Sequence, residues 1–365
     1  MTTDTVGGVW TYALELCRAF AEAEVQVELA TMGEPVTAMQ AEAARSVPGL
    51  RLHESTYRLE WMDAPWEDVR ASGRWLLSLE ARLAPDIVHL NGYVHGALPW
   101  RAPSVVVAHS CVLSWWEAVL GAPAPARYAR YRREVRRGLR AVDRVVAPSA
   151  AMLASLQRHY GPLPPTCVIP NARRPEAFTA APKERFVLAA GRLWDEAKNL
   201  AALEAVAPRL SCPVRVAGET RHPGGGRVVR ARNTEPLGQL SPEALAAWMG
   251  RAAIYALPVR YEPFGLSALE AALSGCALVL GDIPSLREVW ADAAVFVHPD
   301  DLDGLARELS ALLDDAPRRR GMAVKARARA LALSPRRMAE DYLRLYTTLL
   351  ARPVLPEAGL ALGVP

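Results

Sequence analysis

Two carboxylates, Glu262 and Glu270, stand eight residues apart in the stretch Arg260-Tyr-Glu-Pro-Phe-Gly-Leu-Ser-Ala-Leu-Glu-Ala-Ala-Leu-Ser-Gly275. Pro263 disfavours helix at the residue before it, which keeps Glu262 in a loop. Gly265 permits a tight turn and a close approach of backbone to a ligand. Leu266, Leu269 and Leu273 then recur at helical spacing, and Gly275 is placed to close the helix as its C′ residue. The product is a helix N-terminus with free N–H groups, an anion-binding end, flanked by Glu262 and with Glu270 one turn further in. Carboxylates for hydroxyls beside an anion-binding end suit a nucleotide sugar. Two glutamates at this spacing are equally at home as a loop residue and a surface-helix residue, so other residues must decide.

Those residues recur where apolar runs end. Gly191-Arg192-Leu-Trp-Asp-Glu-Ala-Lys198 follows an apolar run ending at Ala190, with Lys198 expected to begin a helix. Arg192 offers a planar fork and Lys198 a point charge, both suited to phosphate. Asp4-Thr-Val-Gly7-Gly8 opens a helix running through Leu16 and Phe20, and paired glycines at a helix start bare amides for a phosphate or sugar. This is not the Gly-x-Gly-x-x-Gly dinucleotide fingerprint. His109 ends the run Ser104-Val-Val-Val-Ala, while His89 and His95 flank Asn91-Gly-Tyr. The latter two are explained as well by local hydrogen bonding as by an acceptor cleft. Asp301-Leu-Asp303 spells the Asp-x-Asp of metal-dependent sugar transferases, but it opens an apolar-periodic helix, and carboxylates there read as a cap rather than a metal site.

The elements that must position these groups alternate between short apolar runs and amphipathic stretches, the pattern of parallel α/β sheets. Strands are expected at 25–30, 86–90, 104–108 and 144–147, and again at 186–190, 214–217, 254–257, 278–280 and 294–297. The proline-rich stretch from Gly161 to Asn171 reads as an interdomain linker. The expected domains are 1–175 and 176–334, with a final amphipathic helix over 335–351 returning to the first, and a loose tail over 352–365. Only Thr2–Thr5 precede the glycine pair, so the first strand is either very short or begins upstream.

The chain has 365 residues and a net charge of +4, too mild for a dedicated nucleic-acid binder. Its five cysteines are scattered without a Cys-x-x-Cys, which points to a reducing cytoplasm rather than a disulfide framework or zinc site. No signal peptide or membrane-spanning run is visible. Eight arginines between Arg127 and Arg144 share a helix with Tyr128, Tyr131, Val135 and Leu139, a solvated face or a weak contact with acidic membrane.

Glu-x7-Glu around Phe-Gly-Leu, following a small apolar strand, resembles the donor-site signature of retaining family 4 glycosyltransferases of the GT-B fold. The resemblance covers most of the chain, is strongest over 168–299 and weakest over 35–80. It implies two Rossmann-like domains facing across a cleft, the first binding a carbohydrate, lipid-linked or small-molecule acceptor and the second a nucleotide-diphosphate sugar, UDP or GDP being the expected nucleotide. It implies that Arg192 and Lys198 neutralise the diphosphate, that Glu262 faces the donor sugar and Glu270 the ribose. By the same resemblance Phe264, Gly265 and Leu266 touch diphosphate or sugar, and His109 lies near the anomeric centre. Gly7 and Gly8 then form the glycine loop, and Gly218, Glu219 and Leu240 lie near the base. Transfer would be retaining and metal-independent. A sugar-nucleotide epimerase of the same fold and a non-catalytic carbohydrate-binding protein are the rival expectations.

Overall fold

The computed structural model describes residues 1–220 and 231–351. The expected tail lies outside the described residues. In chain order the first part runs β1 (Thr2–Asp4), α1 (Gly8–Glu22), β2 (Val27–Met32), α2 (Ala38–Arg45), β3 (Leu50–His53), α3 (Trp66–Leu83) and β4 (Val88–Leu90). It continues through β5 (Ser104–Val107), α4 (Val112–Leu120), α5 (Ala129–Ala141), β6 (Arg144–Ala147), α6 (Ala150–Tyr160) and β7 (Thr166–Val168). The second part runs β8 (Glu184–Ala190), α7 (Leu200–Val206), β9 (Val214–Ala217), β10 (Glu235–Gly238), α8 (Pro242–Arg251) and β11 (Ala252–Leu257). Then follow α9 (Leu266–Leu273), β12 (Ala277–Gly281), α10 (Pro284–Trp290), β13 (Val295–Val297), α11 (Leu302–Asp314), α12 (Ala316–Leu331) and α13 (Pro335–Leu350).

Every strand pairing is parallel. Strands β8–β13 form one sheet in the order β10-β9-β8-β11-β12-β13, which is the doubly wound order with its reversal between β8 and β11. Strands β3-β2-β1 and β4-β5-β6-β7 form two shorter sheets. Asn91 joins them side by side, its backbone N–H and side-chain amide both donating to Thr2. The same order therefore repeats, with a second reversal between β1 and β4. Short Val- and Leu-rich strands such as Val105–Val107 and Leu278–Leu280 are fully buried because helices cover both faces.

Three strands have no counterpart among the expected ones. β3 and β10 are edges of their sheets, and β7 is the edge of its own. These edges carry no long apolar run, and Pro236 in β10 is tolerated only at an edge. β7 lies inside the proline-rich stretch that composition marked as linker. β2 lies two residues later than expected, and Thr2–Asp4 does form a strand. Met338, Tyr342, Leu345, Tyr346 and Leu349 of α13 pack into one cluster with Tyr12, Leu16 and Phe20 of α1. Among the described residues no helix is long and apolar enough to cross a membrane.

Candidate active site

The two strand-order reversals face one another, and a ligand crevice in a doubly wound sheet opens where the order reverses. At the β8–β11 reversal, Lys198 Nζ donates to Glu262 Oε2 at 2.6 Å, both side chains being largely buried. Lys198 does not begin a helix as expected. It ends a single 3-10 turn, Glu196–Lys198, and α7 starts two residues later. The turn is held locally, because Asp195 Oδ1 accepts from Ala197 N at 3.0 Å. Asn199 follows in the left-handed region at φ 54° and donates to the Pro258 and Pro299 carbonyls, each at 2.9 Å. A buried side-chain amide with two carbonyl partners explains why a non-glycine residue tolerates that backbone.

Glu262 is likewise over-determined. Its Oε1 accepts from Gly265 N at 3.0 Å and more weakly from Phe264 N at 3.4 Å. Burial alone would raise its pKa, but the Lys198 charge and hydrogen bond and the two amides outweigh it and hold the carboxyl below its ordinary range. The amides of Phe264 and Gly265, expected to meet a diphosphate or sugar, are thus taken by Glu262 itself. Arg192 lies at the same edge, its guanidinium 5.3 Å from the Trp194 ring centroid and 3.4 Å from Asp195. Gly218 closes the neighbouring loop. A Cβ there would collide with the Gly191 carbonyl, and its φ of 137° favours glycine. Leu193 N donates to the Glu219 carbonyl at 2.8 Å, tying the two strand-end loops together. Leu240 is packed against the core beside α8.

At the β1–β4 reversal stand Asp4, Gly7, Gly8 and Asn91, with His109 at the end of β5. His109 Nε2 lies 2.8 Å from Asn91 Oδ1, and its ring meets the Tyr12 ring edge-on at 4.5 Å. Burial pushes this imidazole down to about 3, so it is neutral. Burial also raises Asp4 to about 7, a hydrogen bond from Val6 N and the Arg192 charge opposing it. The two reversals touch: a Cβ added at Gly8 would lie 3.3 Å from the Leu266 side chain. Cys111 N donates to Tyr261 Oη at 3.0 Å, Trp115 Nε1 to Asp195 Oδ1 at 2.9 Å, and Ser149 Oγ to the Pro263 carbonyl at 2.8 Å. Glu288 accepts from Ala150 N and Ala151 N at 2.7 and 3.0 Å, capping α6 from the other half.

Lys198, Glu262, Phe264–Leu266, Arg192, Gly7, Gly8 and His109 are therefore gathered around one cleft. Glu270, within α9, is engaged by a different cation. It pairs with Arg173 at 2.8 Å, and Arg173 pairs in turn with Glu15 of α1 at 3.2 Å. Burial raises Glu270, with Arg173 lowering it and Glu15 adding to the rise. Asp301 caps α11 through Gly304 N at 2.8 Å, and Asp303 pairs with Arg209 at 2.9 Å. His95 is buried against Ser72 and the Val69 carbonyl, and His89 against Tyr346 and Asn91. The arginine-rich helix ends at Ala141, and Arg144 belongs to β6.

Sequence reasoning overlooked Asn91, Arg173, Asp195 and Tyr261. Tyr261 and Asp195 lie inside motifs already singled out, and Asn91 is two residues from His89. Nothing local marks Arg173, whose partners are 158 and 97 positions away by numbering.

Comparison with known proteins bears on both halves. A family model described as Glycosyltransferase Family 4 matches residues 6–176, and one described as Glycosyl transferases group 1 matches residues 184–315. A glycogen synthase of Mycobacterium tuberculosis is 32% identical over 283 residues, covering 67% of this chain. This chain spans only 64% of that relative's length. A D-inositol 3-phosphate glycosyltransferase of Nocardia farcinica is 26% identical over 415 residues, covering 99% of this chain and 89% of the relative. The solved sucrose-phosphate synthase of Thermosynechococcus elongatus superposes with a TM-score of 0.79 at 20% identity, over 96% of this chain and 95% of the other. Family models over both halves and a shared two-part α/β architecture establish that the chain belongs to the family 4 glycosyltransferases of the GT-B fold.

Proposed function

We propose that the protein transfers a sugar from a nucleotide-diphosphate sugar, of uridine or guanosine, to an acceptor bound by the first half, with retention of anomeric configuration. The observation that carries this is the Lys198–Glu262 pair at the β8–β11 reversal, opposite His109 and the glycine loop. Lys198 and Arg192 meet the diphosphate, and Glu262, ionised and already at hydrogen-bond distance from two amides, faces the sugar hydroxyls. Glu270, with one oxygen on Arg173, takes the ribose, and the loops at Gly218, Glu219 and Leu240 receive the base. The bond from the anomeric carbon to the phosphate oxygen breaks as the acceptor oxygen attacks from the same face. The acceptor proton passes to the leaving phosphate. Charge grows on the diphosphate during this step, where fixed cations stabilise it most. With Arg192 and Lys198 supplying that charge, turnover is independent of a divalent ion.

The arginines of α5 and of the turn before it supply a basic face, with Arg130 4.6 Å from the Trp66 ring centroid and Arg127, in that turn, 5.7 Å from that of Trp116. On a cytoplasmic protein this face suits a weak, salt-sensitive contact with anionic lipid. Co-sedimentation with anionic vesicles at low salt checks it, and absence of binding there removes the membrane from the proposal.

The test of the main reading is a thermal-shift panel of uridine, guanosine and adenosine diphosphates, followed by hydrolysis of the matching nucleotide sugar in excess chelator. One nucleotide should raise the melting temperature, since a ligand of the native state stabilises it. No shift with any of the three, and no hydrolysis, would end the donor assignment. Activity that vanishes with chelator and returns with Mg²⁺ or Mn²⁺ would end metal independence.

A further inference from the structure

The side-chain amide of Asn91 lies between two histidines and a backbone carbonyl. Its Nδ2 donates to the Thr2 carbonyl at 2.7 Å. A carbonyl oxygen only accepts, so the NH₂ end of the amide faces Thr2 and Oδ1 faces the histidines. Nε2 of His109 lies 2.8 Å from that oxygen and Nε2 of His89 3.2 Å from it. An amide oxygen also only accepts, so both Nε2 atoms carry protons. Burial keeps both rings neutral, each pushed down to about 3. A neutral imidazole has one N–H, so each ring holds its lone pair on Nδ1. In His89 that lone pair meets Tyr346 Oη at 2.6 Å, and the phenol is then the donor. No described residue hydrogen-bonds Nδ1 of His109.

We propose that Asn91 is a positioning residue that locks His109 in the Nε2–H tautomer, so that Nδ1 accepts a hydrogen bond from a hydroxyl of the bound sugar. The second half of this statement rests on the placement of His109 beside the sugar proposed above. It carries a chemical restriction: His109 accepts from the substrate and does not donate, so it is no acid toward the leaving phosphate. The lock reaches α13. Tyr346 of α13 donates to His89, His89 donates to Asn91, and Asn91 receives His109 on the same oxygen. Tyr12, edge-on to His109, donates to Tyr342 of α13 at 2.6 Å, which fixes the ring beside the imidazole. The tautomer of a histidine is set by what its other nitrogen meets, and here an amide anchored to a backbone carbonyl sets it.

The experiment uses the full chain with ¹⁵N-labelled histidine, whose two-bond proton–nitrogen pattern reports the tautomer. Loss of one pattern in His109→Gln identifies the His109 signal. The parent should show a protonated Nε2 and a bare Nδ1. Asn91→Ala should turn that pattern into a tautomer mixture, and Asn91→Asp, which keeps an acceptor, should restore it. In Asn91→Ala, kcat/KM for hydrolysis of the nucleotide sugar should fall about tenfold, the scale of one neutral hydrogen bond, with nucleoside-diphosphate Kd changed less than about twofold. A proton on Nδ1 of His109 in the parent overturns the proposal without any variant having to fold. Asn91→Ala with the parent's pattern and turnover overturns it as well. If the parent pattern is as expected but His109→Gln hydrolyses nucleotide sugar like the parent, the tautomer lock stands and the sugar contact falls.

Discussion

The two walls of the cleft are built from different physics. On the first half, His109 is held by neutral hydrogen bonds and ring contacts to Asn91, Tyr12 and, through His89, Tyr346. On the second, Lys198, Glu262, Arg192 and Asp195 form ion pairs on loops at strand ends. Neutral networks buried among packed rings have one arrangement and no competitor in solution. On the function proposed above, these ion pairs would exchange partners, an arriving phosphate competing with Glu262 for Lys198 and a sugar hydroxyl with Lys198 for Glu262. A wall that positions thus faces a wall that responds to charge. The second wall is also tied to the first by an ionic chain, Glu270–Arg173–Glu15, which spans α9, the segment after β7, and α1.

The sharpest way to break the contrast is Lys198→Ala. Deleting one charge-stabilising contact costs roughly a hundredfold or more in turnover. Nucleoside-diphosphate affinity should fall with it, measured by calorimetry beside donor hydrolysis. Glu262→Gln should instead change nucleotide affinity little while lowering rate and blurring discrimination between donor sugars. Two variants that both behave like the parent would remove the second wall from the mechanism.

Next in size is Arg173→Ala, which strands the buried Glu270 carboxylate without its cation. Breaking one member of a buried pair is strongly destabilising, and about 2–3 kcal/mol is expected from urea unfolding, since Glu15 keeps Arg18 and Arg174 as partners. An unchanged midpoint would show that the ionic chain is ornamental to stability.

The smallest effect concerns Asp4 on the first wall. Its pKa is raised by burial from the ordinary 3.8 to about 7. Between those values the folded state holds a proton that the unfolded chain has released, so this group's contribution to stability declines as pH rises through that window. Asp4→Asn should therefore leave stability near pH 4 unchanged and raise it at pH 8. About 1–2 kcal/mol is expected, below the full value of the shift because Asp4 is partly exposed. Equal stability changes at both pH values would place the titrating group elsewhere.

Much of this was legible in order along the chain. The alternation of apolar runs and amphipathic stretches encodes parallel α/β units, and Glu262-Pro-Phe-Gly encodes a loop feeding a helix, because turn chemistry and periodicity act over a few residues. Ser241, Asp301 and Ser334 cap their helices as their types dictate. The edge strands β3, β7 and β10 were not legible, unlike the apolar edge β13, since they are strands by virtue of a neighbour's hydrogen bonds rather than their own apolar content.

What only the tertiary structure decided are the partners. Glu270 reads from sequence as a ligand-facing carboxylate, yet its nearest charge is Arg173. Asn91 reads from sequence only as part of the stretch between His89 and His95, yet its amide oxygen meets two imidazoles. Tyr12 meets Tyr342 across 330 positions and His89 meets Tyr346 across 257. Such contacts carry no local signature, because the free energy that forms them comes from burying α13 against α1, and only the folded core brings the hydroxyls and imidazoles within reach.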